Sequence, residues 1–185
     1  GHDGQPGGAW GAPADAAACV VLATDDPDGP TGQGRVCTTG RGTDVQAAAI
    51  AALRPQVVGL ALTEVTGDLG GFYRRLVHDP QLRWLGPEKG VMHMAIGAVV
   101  NALWDIKAKR AGLPLWQLLA RMTPEELDGL VDIRYPTNAL TREAALETLR
   151  AAEPRRTERE REQHATRPPG NYTSTGSLGS SYKTL

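Results

Sequence analysis

Histidine is the side chain best suited to acid–base and zinc chemistry near neutral pH, and this sequence contains four of them. They are His2, His78, His93 and His164, which lie far apart without an acidic residue at the spacing of a zinc site. No Gly-x-Ser-x-Gly segment marks a serine nucleophile. His93 shares a predicted helix face with apolar residues, so we favour a hydrogen-bonded core histidine over a ligand or a base.

Two glycine-rich segments could hold an anion. In GQGRVC, residues 32–37, Cys37 stands where a dinucleotide-binding fingerprint needs its third glycine, and the segment itself reads as a strand, so we reject a nucleotide loop. TTGRGTDV, residues 38–45, combines Arg41, two glycines and the free N–H groups of a helix start, which could bind a carboxylate. An ordinary capped turn is the favoured alternative for that segment.

The two cysteines, Cys19 and Cys37, lack the Cys-x-x-Cys spacing of redox and metal motifs. Buried free thiols are the favoured interpretation, with a disulfide across paired strands as the alternative. The sequence opens GHDGQPGGAWGAP, without the basic and apolar segments of a signal peptide. We therefore expect a cytoplasmic protein whose given sequence starts inside a loop.

Charge and hydropathy argue against two large classes of function. The 20 basic and 21 acidic residues are mixed along the 185-residue chain and give a net charge of -1, so no broad positive field is available for a nucleic-acid backbone. The longest apolar run, residues 91–103, is shorter than the ~20 residues that span a bilayer. We expect neither nucleic-acid nor membrane binding.

The first part of the sequence predicts a hairpin followed by two helices. Residues 18–25 and 32–39 favour strands, and DPDG at 26–29 favours the turn between them. Thr43 is predicted to cap the first helix and Thr63 the second. The face shared by apolar residues of the first helix comprises Val45, Ala48, Ala49 and Ala52. The corresponding stripe of the second comprises Leu69, Phe72, Tyr73 and Leu76.

QLRWLGPEKG, residues 81–90, leads into the most apolar helix. Pro87 suits the first helical position because its missing N–H would have no partner there, and Glu88 suits the positive end of the helix dipole. From residue 91 to 106 the pattern is apolar almost all round. We expect this helix to be buried on several sides at the centre of a helical bundle.

The remaining sequence predicts shorter elements. Gly112 ends the long helix, Pro114 opens the next, and residues 123–130 form a short capped helix. Residues 130–135 favour a strand, and residues 141–152 form an amphipathic helix.

After residue 152 the composition changes. EPRRTEREREQ, residues 153–163, is interpreted as a solvated helix or linker in which Arg156 and Glu160 pair one turn apart. Residues 167–185 are rich in Gly, Ser and Thr and are typical of a disordered tail.

A longer signature is present in GPEKGVMHMAIGAVVNALWDIKAKRAGLPLWQLL, residues 86–119. It resembles the cap-domain helices of the mandelate racemase and muconate-lactonizing branch of the enolase superfamily. There an Ala-Leu-x-Asp-Ile-x-Ala-Lys core, here residues 102–109, precedes Pro-Leu-x-x-Leu-Leu, here residues 114–119. Within that branch QLRWLGPEKG, VVNALWDIKAK, MTPEEL and DIRYPTNALT resemble the L-fuconate dehydratases.

The resemblance implies an α+β fold: a capping domain with a short antiparallel sheet and a helical bundle, followed by only the start of a (β/α) barrel. Residues 1–140 would form the cap, with its first strand missing. Residues 141–185 would form a linker helix and a degenerate start of the barrel. In the family the barrel holds Mg²⁺ and removes the proton α to a sugar-acid carboxylate before water leaves, converting L-fuconate through an enediolate to 2-keto-3-deoxy-L-fuconate.

The resemblance places no catalytic residue and no Mg²⁺ ligand in this chain, which is therefore expected to be inactive alone. It implies that Gly1, His2 and Asp3 contact substrate hydroxyls. Arg83, Trp84 and Lys89 would border the barrel of the same enzyme, and the full-length enzyme is expected to be a homo-oligomer. The alternative is a non-catalytic helical interaction module, or a decayed remnant of such an enzyme, with an exposed apolar patch.

Overall fold

A computed structural model describes residues 15–39, 41–86, 89–132 and 140–165. The strands are β1 (Asp15–Leu22) and β2 (Gly32–Thr39), and the α-helices are α1 (Thr43–Ala52), α2 (Leu62–Gly67), α3 (Leu69–Val77), α4 (Gly90–Arg110), α5 (Leu115–Arg121), α6 (Pro124–Leu130), α7 (Arg142–Ala152) and α8 (Arg156–Ala165). Short 3-10 turns span Arg54–Gln56, Arg83–Leu85 and Glu153–Arg155. A short antiparallel sheet combined with helices is the α+β arrangement predicted from sequence. Within these residues no helix is both long and apolar enough to cross a membrane.

The hairpin forms where the sequence predicts it, although β1 runs from Asp15 to Leu22 rather than over residues 18–25. Its register pairs Ala18 with Val36 and Cys19 with Arg35. Because side chains alternate across a strand, Ala18 and Val36 face the core while Cys19 faces outward.

The prediction of buried thiols is wrong. Cys19 and Cys37 are free, as expected, but both are exposed. The reason is parity, since the even-numbered positions of both strands turn toward α4 and the odd-numbered positions turn away from it.

The glycines of GQGRVC allow β2 to pack closely on α4. A Cβ atom added at Gly34 would lie 1.8 Å from the carbonyl oxygen of Ala98, and one at Gly32 would lie 2.0 Å from that of Ala102. Both distances are impossible for a real side chain, so only glycine fits at these two positions. These glycines serve strand-on-helix packing, in agreement with the rejection of a nucleotide loop.

The face predicted for α1 is wrong. Gln46 is 2% exposed and Leu53 is fully buried, so the inward face is shifted around the helix. Among the predicted inward residues Ala49 is half-buried, and the exposed ones are Val45, Ala48 and Ala52. An alanine-rich helix gives little hydrophobic contrast between its faces, and tertiary packing decides which of them is buried.

The second predicted helix is divided into α2 and α3 at Asp68. Its Oδ1 accepts a hydrogen bond from the Gly71 N–H at 2.7 Å and so caps α3. Ala61 occupies the N-cap position of α2, so the predicted cap at Thr63 is wrong. The predicted stripe is confirmed, with Leu69, Phe72 and Leu76 buried and Tyr73 half-buried.

Helix α4 is the central element and contacts both strands and helices α1, α2, α3 and α5. Burial on several sides is therefore confirmed, with the sheet as one of the neighbours. Gly90 is the first helical residue and Lys89 is the extended N-cap, so the prediction that α4 starts at Pro87 is wrong; Pro87 and Glu88 themselves lie outside the described residues. The predicted stop is confirmed, since α4 ends at Arg110 and Gly112 follows with φ 66°.

The caps of the later helices follow the sequence. Pro114 precedes α5. Thr123 and Glu126 form a reciprocal capping box at the start of α6, and Thr141 caps α7 by accepting from the Ala144 N–H. The strand expected over residues 130–135 is not formed at residues 131–132, and residues 133–139 lie outside the described part of the chain.

The charged run at residues 153–163 is helical and largely exposed, as predicted, but Arg156 and Glu160 are half-buried where it packs on α5. Glu160 accepts hydrogen bonds from Arg121 at 2.7 Å and from Gln117 at 2.5 Å. Arg156 lies 3.6 Å from Glu153, so the predicted pair with Glu160 does not form. Glu160 pairs with Arg121 on the neighbouring helix α5 instead of with Arg156 one turn away. The predicted disordered tail lies outside the described residues.

Candidate functional site

The Ala-Leu-x-Asp-Ile-x-Ala-Lys segment holds the hairpin against α4. Asp105 Oδ2 accepts hydrogen bonds from the Gln33 N–H at 2.9 Å and from Lys109 Nζ at 2.7 Å. Lys109 Nζ also donates to the Thr31 carbonyl at 2.8 Å. The Lys109 hydrogen bond, assisted by the Gln33 N–H against some desolvation, lowers the pKa of Asp105. The segment therefore positions the start of β2, which is a structural role.

Lys107 in the same segment connects α4 to α2. Its Nζ donates to the Thr66 carbonyl at 2.8 Å and lies 5.4 Å from the ring centroid of Trp104. The lysine stem and the indole thereby cover one side of α4 while the charge reaches a backbone carbonyl.

The described residues do not bring together the oxygen-rich ligand set of a Mg²⁺ site. No group of three or more His, Cys, Asp or Glu side chains comes together in this part of the chain. Six of its carboxylates are engaged in ion pairs with lysine or arginine: Asp105, Glu125, Asp128, Glu153, Glu158 and Glu160. Because Mg²⁺ is bound through several oxygen ligands, the described residues do not fit this ion.

The most exposed aromatic side chain among the described residues lies near the N-terminal end of α4. Trp84 is 80% exposed, in the 3-10 turn that precedes this helix. Gln46, buried in α1, donates from Nε2 to the Val91 carbonyl at 3.0 Å and so fixes the start of α1 beside the start of α4. We call the large apolar side chains exposed on these segments the Trp84 surface: Val45, Trp84, Leu85, Val91 and Met94.

The predicted anion-binding turn has a different cap from the expected one. Gly42 is the N-cap of α1 with φ 108°, whereas Thr43 is the first helical residue and shares a hydrogen bond of 2.9 Å with the Thr38 hydroxyl. Arg41 is exposed, and Asp44 places a carboxylate in the first turn, where it opposes a bound anion. The turn is thus a glycine-capped helix start, and anion binding there stays a prediction.

The remaining site predictions are scattered or untested. Gly1, His2 and Asp3 lie outside the described residues. His93 is half-buried on α4, and His164 makes an edge contact with Trp116 at 5.1 Å between ring centroids. His78 is exposed at the end of α3, so the three described histidines do not form a cluster.

Three buried polar residues were not predicted from the sequence: Gln46, Gln117 and Asp128. Gln46 lies among the alanines and the isoleucine of α1, and a polar residue in such a run is the signal that would have identified it. Because Gln46 is buried, its side-chain amide needs a partner within the protein, and the hydrogen bond to α4 provides one. An exposed glutamine would bind water instead.

The chain is similar to known proteins over most of its length. The family described as "Mandelate racemase / muconate lactonizing enzyme, N-terminal domain" matches residues 12–120. "Mitochondrial enolase superfamily member 1" of Bos taurus is 50% identical over 163 residues, covering 88% of this chain and 37% of the relative. "L-galactonate dehydratase" of Hypocrea jecorina is 44% identical over 164 residues, covering 88% and 36%.

A solved structure gives the same result. The crystal structure of human mitochondrial enolase superfamily member 1 aligns with a TM-score of 0.76 and 48% identity, covering 80% of this chain and 34% of that one. The chain therefore spans little more than a third of the length of these relatives.

Proposed function

Because the chain belongs to the mandelate racemase and muconate-lactonizing N-terminal domain family of the enolase superfamily, we propose that it is the capping part of a sugar-acid dehydratase. The similarity over nine-tenths of this chain to a relative named as a dehydratase is the observation that carries the proposal. The sequence resemblance favours L-fuconate as the substrate, and L-galactonate is the named substrate of the fungal relative. Both are sugar acids with a carboxylate next to the carbon that loses its proton.

The proposed reaction needs more than this chain contributes. A proton α to a carboxylate is weakly acidic, and Mg²⁺ bound in the full enzyme would stabilise the enediolate that remains. Six of the described carboxylates are paired with basic side chains, and no group of three potential metal ligands forms among the described residues, so we assign no catalytic step and no Mg²⁺ ligand to them. The described residues serve to form a rigid cap. The chain alone is expected to show no turnover.

We propose that the Trp84 surface docks on the barrel of the same enzyme. An exposed indole costs hydrophobic free energy that a partner surface recovers, and tryptophan is enriched at the centres of interfaces. Exposed Arg83 and Lys89 provide a polar rim on either side of Trp84 in the sequence.

A chimera tests the proposal. This chain would replace the matching residues of the bovine relative, and dehydration of L-fuconate and L-galactonate would be followed with and without Mg²⁺. The chimera is expected to turn over one of them only with Mg²⁺, whereas the 185-residue chain alone is expected to turn over neither. Turnover by the chain alone, or a folded chimera without activity, would contradict the proposal.

Two variants of the chimera test the docking surface. Trp84→Ala is expected to lower kcat/KM by about tenfold and to reduce thermal stability, since a buried interface tryptophan is a typical hot spot. Val58→Ala is the matched control, because Val58 is 61% exposed in the loop before α2 and lies outside the Trp84 surface. Equal effects of the two substitutions would remove the support for docking at Trp84.

The N-terminal residues complete the proposal. We propose that Gly1, His2 and Asp3 contact substrate hydroxyls. In the chimera, Asp3→Asn is expected to raise KM about tenfold, as the loss of one charged hydrogen bond does, while kcat stays within about twofold. An unchanged KM would remove Asp3 from the substrate site.

The second candidate function is a non-catalytic interaction module or a decayed remnant, and the exposed Trp84 surface favours it as well. A chimera that folds with normal stability but stays inactive with both sugar acids would select this alternative. A cytoplasmic location and a homo-oligomeric full-length enzyme also remain proposals, which a fluorescent fusion and sedimentation analysis would test.

A further inference from the structure

Cys19 and Cys37 lie together on the outward face of the hairpin. In the register Cys19 is opposite Arg35 and Cys37 is opposite Ala17, and both thiols are free and exposed. Cys37 is thus two residues beyond the partner of Cys19, on the same face of the sheet. Such diagonal neighbours have Cα atoms roughly 7–8 Å apart.

We propose that these two thiols form a two-coordinate site for a soft monovalent metal ion, Cu(I). The diagonal separation exceeds the roughly 4.4–6.8 Å that a disulfide bridges, so direct oxidation would require the strands to move. An ion held between two sulfur atoms spans a longer distance than a sulfur–sulfur bond. Thiolates are the soft donors that select Cu(I), and the described residues add no third His, Cys, Asp or Glu to the pair.

Arg35 supplies the charge that this site needs. When Cu(I) binds, each thiol releases one proton and two copper–sulfur bonds form, so the product carries one negative charge and the oxidation state of copper does not change. Arg35 lies directly opposite Cys19 and two residues before Cys37 on the same face, and it is exposed. Its guanidinium compensates the negative charge of the bound unit, whereas a site for a divalent ion would gain less from it.

Anaerobic titration of the whole chain with Cu(I), with bicinchoninate as the competing chelator, tests this site. One Cu(I) per chain is expected, and Cys19→Ser or Cys37→Ser is expected to weaken binding at least about a hundredfold because one thiolate is lost. Arg35→Gln is expected to weaken binding several-fold with unchanged stoichiometry, and Arg35→Lys to restore most of it. Circular dichroism and urea unfolding confirm that each variant is folded, as expected for substitutions at exposed positions.

The matched control is the double variant with Cys19→Ser and Val21→Cys. It keeps two exposed thiols on the same face, since Val21 is 63% exposed and pairs with Gln33, but it places them about 13 Å apart along the strands. It is expected to lose the one-to-one complex. Equal affinity of this control and the wild-type chain, or one-to-one binding of wild-type affinity in either serine variant, would overturn the proposal. Absence of competition with bicinchoninate by the wild-type chain would overturn it as well.

Discussion

The hairpin is attached to α4 through its backbone, whereas α7 and α8 are attached to α6 and α5 through charged side chains. At the first interface Gly32 and Gly34 bring β2 within van der Waals contact of the α4 carbonyls. At the second, arginines and carboxylates meet at the surface. The family signature in α4 thus lies in a closely packed unit of sheet and helix, while the C-terminal helices are held by contacts that water and salt weaken.

The largest effect is expected where the backbone packs most closely. Gly34→Val would place its Cβ 1.8 Å from the Ala98 carbonyl oxygen, so strand and helix must separate. We expect a loss of about 4 kcal/mol in the free energy of unfolding, measured by urea denaturation, at the upper end of overpacking effects. Gly97→Ala is the control, because Gly97 lies in α4 with nothing within 4 Å of an added Cβ, and it should stabilise the chain by up to about 1 kcal/mol. Similar losses in both variants would contradict the close-packing argument.

One contact of the C-terminal helices is an exception, since it is buried. Asp128 in α6 is 5% exposed, its Oδ2 lies 2.5 Å from Arg142 in α7, and its Oδ1 has no hydrogen-bond partner among the described residues. Arg142→Met would leave a buried carboxylate unpaired, with an expected loss of about 3 kcal/mol near neutral pH. Arg150→Met, which removes an exposed partner of Glu125, should change the unfolding midpoint little. A small effect at Arg142 would mean that the ion pair with Asp128 is as weak as the exposed ion pairs between α6 and α7.

A smaller and pH-dependent effect is expected at Asp105, which joins the hairpin to α4 by hydrogen bonds. Asp105→Asn is expected to lower the free energy of unfolding by about 1 kcal/mol near pH 7, as the loss of one charged hydrogen bond does. Because Lys109 lowers the pKa of Asp105 in the folded chain, the contribution of the charge is present above the unfolded-state pKa of about 3.9. It disappears as the pH falls through the lower folded-state pKa. Urea unfolding of both proteins from pH 7 to pH 2 should therefore show their stabilities converging, and a difference that persists at the acid end would contradict this assignment.

Local signals made much of the fold predictable. The caps at Thr123 and Thr141 and the stop at Gly112 depend on hydrogen bonds and backbone angles within a few residues, and all three are confirmed. The inward face of α1 was not predictable, because alanine contributes little hydrophobic contrast. The outward position of the thiols depended on strand parity, and the alternating Gly32 and Gly34 are the sequence signal that α4 packs on the even-numbered face.

The residues of the candidate functional site were less predictable than the fold, for a physical reason. The family resemblance comes from residues such as Asp105 and Lys109, whose observed contacts hold the hairpin on α4. Sequence similarity can therefore identify the family while leaving the substrate open. The exposed position of Trp84 required the three-dimensional structure, since an isolated tryptophan beside an arginine fits a core or a surface equally well.

The smallest effect is expected at Glu160, where α8 meets α5. Hydrogen bonds from Arg121 and Gln117 to this carboxyl lower its pKa and so favour its charged form. Glu160→Gln should leave the urea midpoint nearly unchanged, because α8 contributes little to the core. It should increase trypsin cleavage within residues 156–165 a few-fold through more frequent detachment of α8.

The control is Glu158→Gln, since Glu158 pairs with Arg155 only 3 residues away in the sequence and does not reach α5. Adding 1 M NaCl to the wild-type chain should reproduce the Glu160→Gln rate, because exposed ion pairs are screened at that concentration. Equal cleavage rates for the two glutamine variants would mean that apolar packing holds α8. The hairpin and α8 would then be held by the same kind of interaction and would differ only in the size of the packed area.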